Sequence, residues 1–248
     1  MLDTIIPCCE KDSALLYKSV PSIRKNVTDG IGTIFVVGPR MLEPVCDDLA
    51  CRYVSDVNFM GFSKHCVLSC PQGRRGWIYQ QLIKLSADRL SGTDNFLVFD
   101  ADHILLKPHR FIEKGKYNFY VSNEFHEVYF NTIKQLLGEK YKKGANVSFI
   151  NDKMIFNKSI LKDLKNDISK KSKYHWIKSI LDACPESSFS GFSEFETYGT
   201  YMYYNHRELF NMKETKRKIL YDDDITYNTI DEIKEKYGDN DSVTQGKL

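Results

Sequence analysis

An apolar run, Phe96-Leu-Val-Phe99, ends in Asp100-Ala101-Asp102-His103. Such a run reads as a buried strand, and parallel sheets bind ligands beyond the carboxyl ends of their strands. Two carboxylates delivered there at i and i+2 suit a hard divalent cation, Mn²⁺ or Mg²⁺, which takes oxygen ligands and often shares its shell with a diphosphate. The competing reading is a polar turn in which Asp100 or Asp102 caps the residues that follow. Both stand at this point.

Three further groups can do chemistry. Arg74-Arg75-Gly76-Trp77 places two guanidiniums beside a glycine, able to grip phosphate or carboxylate bidentately or to sit as solvated loop charges. The following segment carries Trp77, Gln81, Lys84 and Asp88 at helical spacing, a polar stripe that either lines a cleft or meets water. Phe192-Ser193-Glu194-Phe195-Glu196 has capping-box spacing, with Ser193 as N-cap and Glu196 three residues on. Glu194, in the first turn, is then free to face a ligand as a general base, or is simply a partner of the helix dipole. His206 is a candidate further metal ligand, although a lone histidine is more often a hydrogen-bonded or surface residue. Tyr198, Tyr201, Tyr203 and Tyr204 can stack on sugar rings, but their helical spacing with Met202 assigns some of them to the core.

The elements that must position these groups follow from periodicity. Thr4-Ile5-Ile6 is a short strand stopped by Pro7. A helix capped near Asp12 or Ser13 buries Leu15, Leu16, Val20 and Ile23. Residues 33–37 form a buried strand ended by Gly38-Pro39, followed by a helix near 42–50 and a strand near 53–57. This β-α-β-α-β order predicts a parallel sheet with helices on its faces. A helix over 77–90 turns Ile78, Leu82 and Leu85 inward. Strands are expected at 95–99, 117–121, 147–150 and 153–156, helices at 158–168, 174–183 and from Glu194 onward. From Lys213 the chain turns polar and charged, through Asp222-Asp223-Asp224 and a short helix at 227–237. We therefore expect an α/β domain over 1–212 and a loosely held tail over 213–248.

Composition sets bounds. The 248 residues hold 42% hydrophobic and 27% charged side chains, which excludes a disordered chain, a collagen-like fibre or a disulfide mini-protein. Thirty-five basic and thirty-three acidic residues leave +2, so no global field draws nucleic acid. An anionic substrate must meet a local cluster of charge. Seven cysteines form no CxxC pair; Cys66, Cys70 and His65 are the nearest approach to a zinc site, without a second half. Reduced, mostly buried thiols in the cytosol are expected. No secretory signal and no apolar run long enough to span a membrane is visible.

Together these residues resemble the GT-A glycosyltransferases, which use nucleotide-diphosphate sugars. The likeness is greatest to a small bacterial and viral polysaccharide-building family long catalogued only as a domain of unknown function. It is carried in order by Thr4-Ile-Ile-Pro-Cys-Cys-Glu-Lys-Asp12, Arg75-Gly-Trp-Ile-Tyr-Gln-Gln-Leu-Ile-Lys84-Leu, Phe99-Asp100-Ala-Asp102 and Phe192-Ser-Glu194-Phe-Glu196-Thr-Tyr-Gly199. Asn151-Asp-Lys-Met-Ile-Phe156 is a weaker fifth segment, similar to the family's acceptor-side strand. The resemblance implies a GT-A, Rossmann-like sheet and a base-binding loop at Pro7, Cys8 and Lys11. It implies Asp100 near the ribose or the metal-bound diphosphate, Asp102 on the metal, His206 closing the metal shell, and Glu194 as base. Arg75, Gln81 and Lys84 would join the donor site, and Trp77, Asp152, Glu196 and Tyr198 the acceptor side. Where this chain has Asp152-Lys153 the family often carries a histidine.

The implied activity moves a hexose from a nucleotide-diphosphate sugar to a glycan hydroxyl, with UDP-galactose or UDP-glucose favoured and Mn²⁺ or Mg²⁺ as cofactor. Inversion through Glu194 is preferred over a retaining transfer, which needs no such base. A sugar-nucleotide nucleotidyltransferase normally shows a glycine-rich loop after the first strand, and Pro7-Cys8-Cys9-Glu10-Lys11 has no glycine. The other rival is an inactive nucleotide- or carbohydrate-binding module, against which stand Asp100, Asp102 and Glu194.

Overall fold

The structure, a computed structural model, describes residues 1–68, 72–184, 191–221 and 224–246; Cys70, Asp222 and Asp223 lie outside them. Among the described residues the strands are β1 (Leu2–Pro7), β2 (Ile31–Gly38), β3 (Arg52–Ser55), β4 (Asn95–Phe99), β5 (His103–Leu105), β6 (Ile112–Glu113), β7 (Lys116–Val121), β8 (Lys153–Asn157), β9 (Phe210–Glu214), β10 (Arg217–Leu220) and β11 (Ser242–Gln245). The helices are α1 (Leu16–Asn26), α2 (Glu43–Asp48), α3 (Asp56–Met60), α4 (Arg75–Leu85), α5 (Glu127–Leu137), α6 (Lys158–Ser172), α7 (Trp176–Ala183), α8 (Glu194–Asn205), α9 (Asp224–Tyr227) and α10 (Ile230–Tyr237).

The central sheet has the order β3-β2-β1-β4-β8. β1, β2, β3 and β4 run parallel and β8 pairs antiparallel with β4. This is the expected mostly parallel sheet. Its centre is apolar because helices cover both faces; Ile5, Ile6, Val36, Val37, Phe96, Leu97, Val98 and Phe99 are buried. Leu15, Leu16, Val20 and Ile23 are buried as expected, although a 3₁₀ turn over Glu10–Leu15 precedes α1. Gly38, at the carboxyl end of β2, abuts the first loop so closely that a Cβ there would lie 2.2 Å from the Cys8 carbonyl. Glycine lets the ends of β1 and β2 meet at that edge.

Two expectations are corrected. Residues 147–150 form no strand; Ser148 makes only an isolated bridge to Ser122. Nor is the segment from Lys213 a loose tail. β10 and β11 pair parallel, and β11 pairs antiparallel with β5, which leads directly out of Asp102. Leu220, Ile225, Ile233 and Val243 are buried with Leu15, Ile104 and Leu106 in a second small core. The apolar residues of this segment are too few to mark it against its lysines and aspartates. They are enough to bury it once β5 offers an open edge.

Candidate active site

A cleft of about 1570 Å³ opens at the carboxyl ends of β1, β2 and β4. Of the residues singled out from sequence, Pro7, Cys8, Lys11, Arg75, Trp77, Gln81, Lys84, Asp100, Asp102, Asp152 and Glu194 all line it. The β-α order explains this convergence, since every parallel strand delivers its following loop to the same edge.

At the floor lies a buried ion triad. Lys84 Nζ is 2.5 Å from Asp100 Oδ1 and 2.6 Å from Glu194 Oε1, with the lysine and glutamate side chains almost wholly inaccessible. Burial disfavours the ammonium, but Asp100 and Glu194 outweigh it and hold the Lys84 pKa above its ordinary value. Asp100 is pushed up to about 7 by burial and by Asp102, Asp152 and Glu194, with Lys84 opposing. Gln80 also donates to Asp100 Oδ1, at 2.8 Å. Gln81 accepts from the Glu194 backbone N–H at 2.9 Å and so pins the start of α8 to α4. The polar stripe of α4 thus faces the cleft through Trp77, Gln81 and Lys84; Asp88 instead pairs with Lys165 at 2.6 Å.

Asp100 and Asp102 offer hard carboxylate oxygens at the end of a parallel strand, the donor type that suits Mg²⁺ or Mn²⁺. Among the described residues no group of three or more His, Cys, Asp and Glu is arranged to hold a metal ion. Two carboxylates would fill only part of the shell of such a cation and leave the rest to phosphate oxygens or water.

Three assignments are corrected. His206 follows the last residue of α8, whose first residue is Glu194. At 1.5 Å per residue the two lie roughly 18 Å apart along the axis, so His206 does not join the acidic pair. Tyr198 is fully buried, its ring 4.4 Å from that of Phe156 and its hydroxyl accepting from the Asn157 N–H. Glu196 faces away from the main cleft: its carboxylate accepts from the Ser148 hydroxyl and from the Phe149 N–H. Ser193 caps α8 through the Glu196 N–H as expected, but the return half of the box is replaced by these contacts. Helical spacing carried Glu196 and Tyr198 onto buried sides of a helix that is buried all round its first turns.

Burial pushes the Glu196 carboxyl up to about 7. A carboxyl with a raised folded-state pKa stabilises the fold below its unfolded pKa, and that contribution is lost as pH rises through the folded value. Glu196 is thus expected to withdraw about 3 kcal/mol of stability from the wild-type protein between about pH 4.5 and 7. Glu196→Gln should flatten this slope and melt higher than wild type at pH 8. Parallel melting curves for the two proteins across that range would refute the assignment.

Arg217, Thr244 and Tyr129 line the cleft and escaped the sequence reading. Arg217 of β10 donates to both oxygens of Asp152, at 3.0 and 2.9 Å, and also pairs with Glu124. Thr244 of β11 donates to Asp152 Oδ2 at 2.7 Å, and the His103 ring is 3.2 Å from the same oxygen. Burial opposes the Asp152 charge, but these partners hold its carboxyl well below the usual range. Asp152 lines the cleft with both oxygens already engaged. Tyr129 of α5 stacks on Trp77 with ring centres 6.4 Å apart, and the Arg74 guanidinium lies 5.5 Å from the same indole. Ser242-Val-Thr-Gln245, a β-type run, was the one signal that could have drawn the C-terminal segment to the site.

The comparisons bear on the fold and the family. The profile of a family of unknown function, DUF6492, matches residues 14–241. No curated protein shows a significant match to the sequence. Among solved structures, mouse xyloside xylosyltransferase 1 in its apo form is similar at a TM-score of 0.51 and 11% identity, over 99% of this chain and 97% of that one. The galactosyltransferase LgtC, in complex with donor and acceptor sugar analogs, is similar at 0.50 and 13% identity, over 98% and 87%. An active-site mutant of LgtC is similar at 0.50 and 12%, over 100% and 88%. The fold is that of the GT-A glycosyltransferases.

Proposed function

The chain belongs to the DUF6492 family, and from that footing we propose that it is a metal-dependent glycosyltransferase. It moves a hexose from a nucleotide-diphosphate sugar, UDP-galactose or UDP-glucose in first place, to a glycan hydroxyl. The observation that carries this reading is the meeting of Asp100, Asp102, Lys84 and Glu194 in one cleft of a GT-A fold. Pro7, Cys8 and Lys11 take the nucleotide base. Asp100 and Asp102 hold Mn²⁺ or Mg²⁺, which supplies positive charge to the diphosphate leaving group. Arg75, whose Nε is buried without a hydrogen-bond partner, adds a charge-assisted contact to phosphate. Trp77, stacked on Tyr129 and approached by Arg74, offers its indole to an acceptor sugar.

Glu194 takes the proton of the acceptor hydroxyl as that oxygen attacks the anomeric carbon from the face opposite the diphosphate, which inverts the centre. Lys84 already occupies Oε1, leaving Oε2 for the proton. The same ion pair favours a second reading, retaining transfer, in which Glu194 and Lys84 serve as a fixed electrostatic pair. With Cys66 an exposed thiol and Cys8 and Cys46 buried thiols, we place the enzyme in a reducing compartment, the cytosol. No helix among the described residues is long and apolar enough to cross a membrane.

Calorimetric titration of UDP, then GDP, with and without Mn²⁺ tests the proposal. Binding of one nucleotide is expected only with metal, and Asp102→Ala should abolish that metal dependence. Absence of nucleotide binding by the wild-type protein would bring the inactive-module reading forward.

A further inference from the structure

Asn151 immediately precedes Asp152 at the entry to β8, is 2% exposed and lines the floor of the cleft. Its Oδ1 accepts from Lys153 Nζ at 3.0 Å and from the Asp152 backbone N–H at 3.0 Å, while its Nδ2 is buried with no partner. Two N–H donors converging on one atom decide the amide's orientation. That atom must be the oxygen, because the Asp152 N–H can only donate and the reverse placement would set the NH₂ group against it. The unused donor is therefore a fixed feature of the cleft floor. A buried donor left unpaired is unfavourable, and a ligand oxygen relieves it.

Lys153 is held in its turn. It is fully buried; its Nζ is 3.2 Å from His103 Nε2 and lies 5.2 Å from the centre of the Tyr120 ring. His103 Nδ1 lies 2.8 Å from Thr244 Oγ1 and 3.2 Å from the Asp152 carboxylate, which places the ring proton on Nδ1 and leaves Nε2 to accept from Lys153. Thr244 donates onward to Asp152, which Arg217 closes from the other side. The donors run in one direction from Lys153 to Asp152. Strands β10 and β11 thus hold the lysine that orients the amide.

Sheet order indicates what Asn151 would meet. β1, β4 and β8 are consecutive neighbours, so the Pro7 loop, Asp100 and the entry to β8 follow one another along the edge at ~4.8 Å per strand. The Asp100 N–H donates to the Asp152 carbonyl at 2.8 Å, which ties the last two together. A base at the first position and a diphosphate at the second put the hexose at the third.

We propose that Asn151 is a specificity-determining residue whose Nδ2 donates to an oxygen of the hexose carried by the nucleotide, and that Lys153 is the positioning residue that fixes the amide. The inference rests on the transferase reading above. Its test compares UDP with UDP-glucose and UDP-galactose, each titrated with Mn²⁺ into wild type, Asn151→Asp, Asn151→Ala and Lys153→Met, with melting curves as a check on folding. Both Asn151 variants should bind UDP within about twofold of wild type and lose roughly 10- to 100-fold in UDP-hexose affinity. Lys153→Met should lose less but reduce discrimination between the two hexoses, since the amide can then turn. An unchanged ratio of UDP-hexose to UDP affinity in the Asn151 variants, or an equal loss for both ligands, overturns the assignment. Failure of wild type to bind any of the three overturns the transferase reading itself.

Discussion

Glu194→Gln is expected to lower transfer by a factor of about 10² to 10⁴, the range that a positioned general base supplies. Nucleotide affinity should stay within about twofold of wild type. The substitution is nearly isosteric and leaves the backbone N–H bonded to Gln81, so the start of α8 keeps its place. It removes the carboxylate that would take the acceptor proton. It also removes one of the two acids around Lys84, whose ammonium keeps Asp100 at 2.5 Å. Single-turnover transfer with saturating donor separates the step from binding. Transfer at or near the wild-type rate would sink the base assignment and promote the retaining reading, in which the Lys84–Glu194 pair supplies only a fixed field.

Lys84→Met should destabilise the fold by about 3–5 kcal/mol, a fall in melting temperature of roughly 10 °C. Removing the ammonium leaves Asp100 and Glu194 as uncompensated acids at the cleft floor, and methionine supplies volume without charge. The loss should be larger at pH 8 than at pH 5, because Asp100, already pushed up to about 7 by its burial, is protonated at the lower pH and no longer strands a charge. Adding Glu194→Gln to Lys84→Met should recover part of the loss, a coupling that independent sites do not show. A simple sum of the two single effects would mean that the triad is not a unit.

The site was legible where chemistry coincides with periodicity. Apolar residues 96–99 running into Asp100 and Asp102 admit few placements other than the end of a buried parallel strand, and the sheet sets them there. The same holds for α4. Ile78, Leu82 and Leu85 at i, i+4 and i+7 turn inward, which sets Trp77, Gln81 and Lys84 on a second stripe; the packing of the helix turned that stripe to the cleft rather than to water. Ser193 starts α8 as its capping pattern requires, which brings Glu194 to the opening of the helix.

Residue type and local spacing by themselves determined the parallel sheet, the edge where its loops gather, the acidic pair and the existence of the helix that carries Lys84. Only the tertiary structure decided which polar groups pair with one another. Lys84 and Glu194 are 110 positions apart, and no local pattern specifies that their charges cancel. Glu196 and Tyr198 lie about one turn or less from Glu194, yet packing of α8 against its neighbours on all sides takes them out of the cleft. The C-terminal segment shows the limit most clearly. Its composition is that of a solvated tail, because a strand that covers an edge needs backbone hydrogen bonds more than apolar side chains. Its partner, β5, lies more than a hundred residues earlier, and a pairing made by backbone across that distance leaves almost no mark on side-chain pattern.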